Sequence, residues 1–156
     1  MDNFQLDKRL AADCIVLGYF NDVTETEAVD NQVAASILLL MNNADFKWFV
    51  MVPMGVTVID VDELPEAKQL QMLKEVNALS AFLKRHYPVD KINFASIGNF
   101  VNQMHFHLVA RTEQDAAWPG VVWGTAATKK YSSEQSEKLK ALLDKEIDFF
   151  KLDLNI

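Results

Sequence analysis

The stretch Gln103-Met104-His105-Phe106-His107-Leu108-Val109-Ala110-Arg111 constrains the fold more than any other part of the chain. Polar and apolar residues alternate along it, and side chains at i and i+2 of an extended strand share a face. Gln103, His105 and His107 are therefore expected in one outward polar row, with about 7 Å between successive side chains. Met104, Phe106 and Leu108 are expected to point the other way, into a core. Two of the three histidines stand in this row. A half-exposed strand carries histidine without a role about as readily as with one, so alternation alone leaves both readings open.

Such a strand needs partners, and the chain offers them. Residues 14–20 read as a strand and residues 33–41, nearly all apolar, as a buried one. The turn Asn42-Asn43-Ala44-Asp45 then leads to residues 48–52, which Pro53 and Gly55 close, giving an antiparallel hairpin. Residues 4–13 are expected as a short helical turn, the acidic stretch 21–31 as a solvated loop, and 57–61 as a short further strand. A helix follows, with Pro65 and Glu66 in its first turn. Leu70, Leu73, Val76, Leu79 and Leu83 recur along it at helical spacing as one apolar stripe. Lys84, Arg85 and His86 suit its last turn, and Pro88 stops it; His86 thus reads as a helix-end residue.

Residues 91–97 form the next expected strand, joined through a short Gly98-Asn99 link to the histidine strand as a second hairpin. Residues 113–124 form a loop holding Trp118 and Trp123. Ser132-Ser133-Glu134-Gln135 is a capping box, opening a helix that carries Leu139, Leu142, Leu143, Ile147 and Phe150. The expectation is one α+β domain over residues 1–156: an antiparallel sheet with a long central helix, a core at about 10–125, and a C-terminal helix at about 132–151.

The net charge of −7 argues against electrostatic nucleic-acid binding, and no basic stretch marks a nucleic-acid arm. A phosphate-bearing ligand must then be held by local donors. No apolar run reaches membrane-spanning length and the first residues lack a signal-peptide pattern, so a cytoplasmic location without a membrane partner is expected. Cys14, the lone cysteine, rules out an internal disulfide and a cysteine-based zinc site, and reads as a small buried residue. Phosphate-loop, nucleophile-elbow and His-Glu-x-x-His motifs are absent. His105 and His107 could both reach one zinc ion, but the strand face supplies no third ligand. Neither a metal nor another cofactor is expected.

The run Gln103-Met104-His105-Phe106-His107-Leu108-Val109 resembles the signature of the histidine triad (HIT) superfamily, in which histidines alternate with apolar residues and two apolar positions close the run. The order hairpin, helix, hairpin resembles it too. More narrowly, the chain is similar to a bacterial subgroup, described as diadenosine tetraphosphate hydrolase-like, in which glutamine replaces the first histidine. Met41-Asn42-Asn43, Gly98-Asn99-Phe100-Val101 and Ala116-Ala117-Trp118-Pro119-Gly120-Val121-Val122-Trp123-Gly124 carry this narrower match.

The resemblance covers about residues 10–125 and implies a HIT-like fold. It also implies a hydrolase or transferase acting at the α-phosphorus of nucleoside phosphates or dinucleoside polyphosphates. His105 matches the nucleophile, which forms a covalent nucleotidyl-histidine that water opens. His107 matches the histidine that contacts phosphate oxygens. Gln103 stands in the first histidine's place, able to hydrogen-bond a phosphate or leaving-group oxygen but not to act as an acid. General acid help is worth about 10²- to 10⁴-fold. Anhydrides, whose leaving groups need less of it, are therefore expected over phosphoramidates.

Asn42 matches a ribose-binding position, or is a turn residue; Asn99 matches a polar loop group near the phosphate, or shapes its turn. Arg111 reads as structural or exposed. Trp118 and Trp123 resemble a segment that approaches the partner subunit's site in one branch, though Trp123 also reads as a loop anchor. A homodimer is implied. Trp48 and Met54 stand near places where family members often carry a histidine and a basic residue. The alternative function is a nucleotide-binding protein of the same fold with little or no turnover. Both retained histidines favour the enzyme, whereas Gln103 pulls the other way.

Overall fold

The computed structural model describes residues 4–24 and 34–153. Most of the acidic stretch expected as a loop lies outside the described residues. Asp7 caps α1 (Lys8–Asp13), its carboxylate accepting the Arg9 N–H at 2.8 Å. β1 (Cys14–Asn21), β2 (Ala34–Met41) and β3 (Lys47–Pro53) follow. β2 and β3 form the expected hairpin, with Leu38 opposite Met51 and Leu40 opposite Phe49.

Residues 57–61 do not form the expected strand. The Glu63 carboxylate folds back onto the N–H groups of Ile59 and Asp60, ahead of a 3-10 turn at Val61–Glu63. These local bonds take donors that a ladder would need.

α2 (Glu66–His86) ends as its basic last turn and Pro88 suggest, but only the second half of the leucine stripe, Leu79 and Leu83, is fully buried. Leu70 and Leu73 are 50% and 47% exposed, while Gln71, Met72, Glu75, Leu79, Phe82 and Leu83 are buried. The inward face is rotated because a buried polar network replaces leucine in the first half of the helix. Gln71 Nε2 donates to the Asn21 carbonyl at 3.0 Å and to Glu75 at 2.8 Å, Gln71 Oε1 accepts the Val23 N–H at 2.9 Å, and Ser36 donates to Glu75.

Burial raises the Glu75 carboxyl from about 4.5 to about 7, against hydrogen bonds from Ser36 and Gln71 that favour its charged form. A raised carboxyl pKa stabilises the fold fully below the unfolded value, and that stability is lost as pH rises through about 7. Glu75→Gln retains an acceptor for Gln71 and removes the titration. Thermal melts from pH 5 to 8 should therefore fall less steeply in this variant. The difference is on the order of 3 kcal/mol at most, or roughly 5–10 °C. An unchanged slope would show that Glu75 does not titrate in this range.

β4 (Lys91–Ala95) and β5 (Phe106–Arg111) pair antiparallel, but residues 96–105 join them by a long connection rather than a tight link. Gly98, at φ +66°, makes the left-handed turn in it. The capping box forms at Ser132 and Gln135, but α3 (Ser133–Glu146) ends before Phe150. Phe150 instead lies on β6 (Phe150–Lys151), paired with β1. The reason sits across the pair: a Cβ on Gly18 would collide with the Lys151 carbonyl and the Phe150 ring, so glycine there admits the strand. His86 is a helix-end residue, its Nε2 2.7 Å from Glu146 of α3.

The result is an α+β fold whose six strands among the described residues lie in the order β4-β5-β3-β2-β1-β6, all neighbours antiparallel. Both faces are covered. Leu38, Leu40, Phe49, Met51, Phe106 and Leu108 pack with residues of α2 and α3. Ile37, Leu39, Trp48, Val50 and Val109 pack on the other side with Leu10 and Val122.

Candidate active site

β5 lies between β4 and β3, so His107 is flanked by Ala95 and Val50 in the ladder. His105 sits just before β5 begins. The expected alternation holds for the core side: Met104, Phe106 and Leu108 are buried against the helices. The expected outward row does not form. His105 and His107 are each only 6% exposed, because this sheet face is also covered. Gln103 and His105 precede the strand, so strand spacing does not set their separation. The two imidazole centroids lie 4.9 Å apart at 74°.

Each ring is held through Nδ1 by an opposite kind of partner. His105 Nδ1 lies 2.7 Å from the Gln103 carbonyl oxygen. A carbonyl only accepts, so this nitrogen carries the proton and the Nε2 lone pair of the neutral ring is free. His107 Nδ1 accepts the Trp48 indole N–H at 3.0 Å. An indole only donates, so neutral His107 carries its proton on Nε2. Burial, then the neighbouring His105, lower His107 to about 4, and it stays uncharged at neutral pH. In its neutral form one imidazole thus offers an electron pair, and its neighbour offers a proton.

Trp48 was legible in the sequence only as a departure; the structure makes it the residue that selects the His107 tautomer. Trp123 stands edge-on to His107 at 5.4 Å and to Trp48 at 5.8 Å, so its anchor position is against the site. Trp48→Phe keeps the ring and removes the N–H, at a cost of about 1 kcal/mol of hydrogen bond. The His107 tautomer ratio should shift roughly fivefold towards Nδ1–H, and its pKa should rise, since imidazolium no longer faces an indole N–H. Nitrogen NMR of the imidazoles reads both effects; an unchanged His107 spectrum would remove Trp48 from this role.

The other expected site residues are placed differently. Gln103 does not turn its amide into a row with the histidines. Its Oε1 accepts the Asp7 N–H at 2.8 Å and its Nε2 donates to the Gln5 carbonyl at 3.0 Å. Asn42 lies at the far end of the sheet. Lys47 pairs with Ala110 at the hairpin end of β3 and Met51 with Phe106 at the other, a separation of about 13 Å along the ladder. The Asn42 side-chain Oδ1 accepts the Tyr131 N–H at 3.0 Å, which ties the hairpin turn to the segment before α3. That bond fits the turn reading. Asn99 is exposed in the connection leading to His105.

Arg111 is structural and 1% exposed rather than at the surface. It pairs with Asp115 at 2.7 and 2.9 Å, donates to Asn93 at 2.8 Å, and lies 5.8 Å from the Trp118 ring centroid. Burial and Asp13 push the Cys14 thiol up to about 12, which fits an inert packing residue. Among the described residues no group of three or more His, Cys, Asp or Glu side chains could hold a metal ion. No helix among them is long and apolar enough to cross a membrane.

Residues 26–114 match the HIT domain family. The fold superposes on a histidine triad (HIT) protein from Sinorhizobium meliloti 1021 at 31% identity and a TM-score of 0.79, covering 94% of this chain and 99% of that one. A histidine triad protein from Marinobacter aquaeolei VT8 is 35% identical, with a TM-score of 0.78 and coverage of 93% and 96%. One from Bradyrhizobium japonicum is 29% identical, with a TM-score of 0.77 and coverage of 92% and 98%. No curated protein matches the chain.

Proposed function

Because the chain belongs to the HIT family, we propose that it is a nucleotide hydrolase or transferase acting at the α-phosphorus of nucleoside phosphates or dinucleoside polyphosphates. The observation that carries this reading is the pair of opposite tautomers at His105 and His107. Nucleophilic attack on phosphorus needs an uncharged nitrogen with a free pair, and the phosphate oxygens need a donor beside it.

The His105 Nε2 pair forms the bond to phosphorus, and the bond to the leaving oxygen breaks with its electrons. The ring becomes a nucleotidyl-imidazolium, whose positive charge the Gln103 carbonyl stabilises through Nδ1–H. His107 donates Nε2–H to a non-bridging oxygen throughout. Water then attacks phosphorus and releases a proton to solvent, and the P–N bond breaks to restore neutral His105. Neutral His107 remains a donor and never competes as a nucleophile. Gln103 supplies no proton, so anhydrides with stable leaving anions are the preferred class. Diadenosine tetraphosphate is the natural first probe, and a homodimer is the assembly we propose.

Mass spectrometry after brief mixing with diadenosine tetraphosphate, quenched in alkaline denaturant, tests this. A transient nucleotidyl adduct on the wild-type chain, absent from His105→Ala, is the expected result. A second reading, nucleotide binding with little turnover, is favoured by the commitment of the Gln103 amide to the N-terminal backbone. Bound nucleotide without adduct or product selects it.

A further inference from the structure

We propose that Gln103 is a positioning residue, which latches residues 4–10 as a strap beside the histidines and so holds the carbonyl that orients His105. This rests on the functional reading above for its kinetic consequence, but not for the latch itself.

The connection 96–105 has no ladder of its own; other bonds hold it. The Gln103 amide uses both its ends on one backbone stretch, accepting from Asp7 and donating to Gln5. Its own carbonyl, on the same residue, takes the Nδ1–H of His105. A second tie runs from Arg9 Nη1 to the Phe100 carbonyl at 3.1 Å. Phe4, Leu6 and Leu10 join the apolar cluster that contains Trp48, Val50, Val109 and Trp123, on the face where His107 lies. The strap is thus pinned polar to the connection and apolar to the histidine face.

Chemistry explains why glutamine suits this place. A planar amide presents an acceptor and a donor side by side, matching a carbonyl at i and an N–H at i+2 of an extended segment. Neutral imidazole carries its donor and acceptor on separate ring nitrogens and cannot reproduce that edge. In this chain the first position of the motif acts through the main chain on His105, and its side chain is occupied away from any leaving group.

Three full-length variants test this. Gln103→Met removes both latch bonds while keeping a similar length. Asp7→Pro removes the N–H bonded to Gln103 together with the helix cap, at a residue whose φ of −53° proline accepts. Asp7→Ala keeps that N–H and loses only the helix cap, so it is the control.

In Gln103→Met, exchange of the Asp7 amide should accelerate about tenfold or more. In both latch variants the single Nδ1–H signature of His105 should broaden or split in nitrogen NMR, and Asp7→Ala should keep it. Turnover of diadenosine tetraphosphate and of adenosine phosphoramidate should fall by the same factor, about 10- to 100-fold. The double variant should lose no more than either single one. A loss larger for the phosphoramidate would put Gln103 on the leaving group and overturn the proposal, as would an unchanged Asp7 exchange rate. If the wild-type chain turns over neither substrate, the enzymatic reading falls, while the exchange and imidazole measurements still decide the latch.

Discussion

His105→Ala should abolish nucleotidyl transfer, lowering turnover by roughly 10⁴-fold or more, as loss of a covalent nucleophile does. Nucleotide affinity should change far less, because His107 and its tryptophan partner remain. The reasoning depends on which nitrogen is free. His107 cannot substitute: Trp48 occupies its Nδ1 and its Nε2 carries the proton. Among the described residues His105 is hydrogen-bonded through Nδ1, which leaves Nε2 for phosphorus. The ring precedes β5 and its hydrogen bond is to the adjoining connection, so the variant should keep the sheet, which circular dichroism checks. Single-turnover kinetics with calorimetry of binding separates the two effects. An adduct that persists in His105→Ala would place the nucleophile elsewhere.

Asp115→Ala should destabilise the fold by about 3–5 kcal/mol, the cost of leaving a buried charge unpaired. For a chain of this size that lowers the melting temperature by roughly 6–15 °C or more. The Arg111 side chain is 2% exposed and the Asp115 side chain 10%, so solvent screens the pair little. The Arg111 guanidinium holds the Asp115 carboxyl below its usual range, aided by the Ala117 and Thr112 N–H groups. Loss of the carboxylate therefore frees three neighbours at once and loosens the loop that carries Trp118 and Trp123. Thermal denaturation measures the change; a shift of less than 2 °C, about 1 kcal/mol or below, would show that Asn93 and Trp118 suffice for Arg111. Replacing both Arg111 and Asp115 with apolar residues should recover part of the loss.

The sequence made the sheet and helices legible where periodicity and end signals agreed. β2 and β3 were bounded by turn residues, and α3 opened at a capping box that forms as written. It misled where polar residues are buried. Leu70 and Leu73 outrank Gln71 and Glu75 in hydropathy, yet the network to Ser36 and Asn21 draws the polar pair inward. Phe150 continued the apolar spacing of α3, and only the close approach over Gly18 turns it into a strand.

For the site, the motif located both histidines, but not their burial or tautomers. Those depend on Trp48, which is 59 positions from His107. Asn42 was readable as a turn residue, but adjacency to a hairpin does not say which end of the sheet the turn occupies. Only the register of β3 on β5 settles that. The role of Gln103 was unreadable for a similar reason: its partners, Gln5 and Asp7, lie nearly a hundred positions away.

That distance also has a consequence in time. Asp7 and Gln103 are 96 positions apart, and a ribosome adding about 5–20 residues per second needs roughly 5–20 s to cover the gap. The strap is made before its latch and waits for it through the whole of β1 to β4. β1 waits longer still, since one of its two sheet neighbours, β6, is made after all the other described strands. Gln103 is made only two positions ahead of His105, so the strap can close onto the connection just as the two histidines appear.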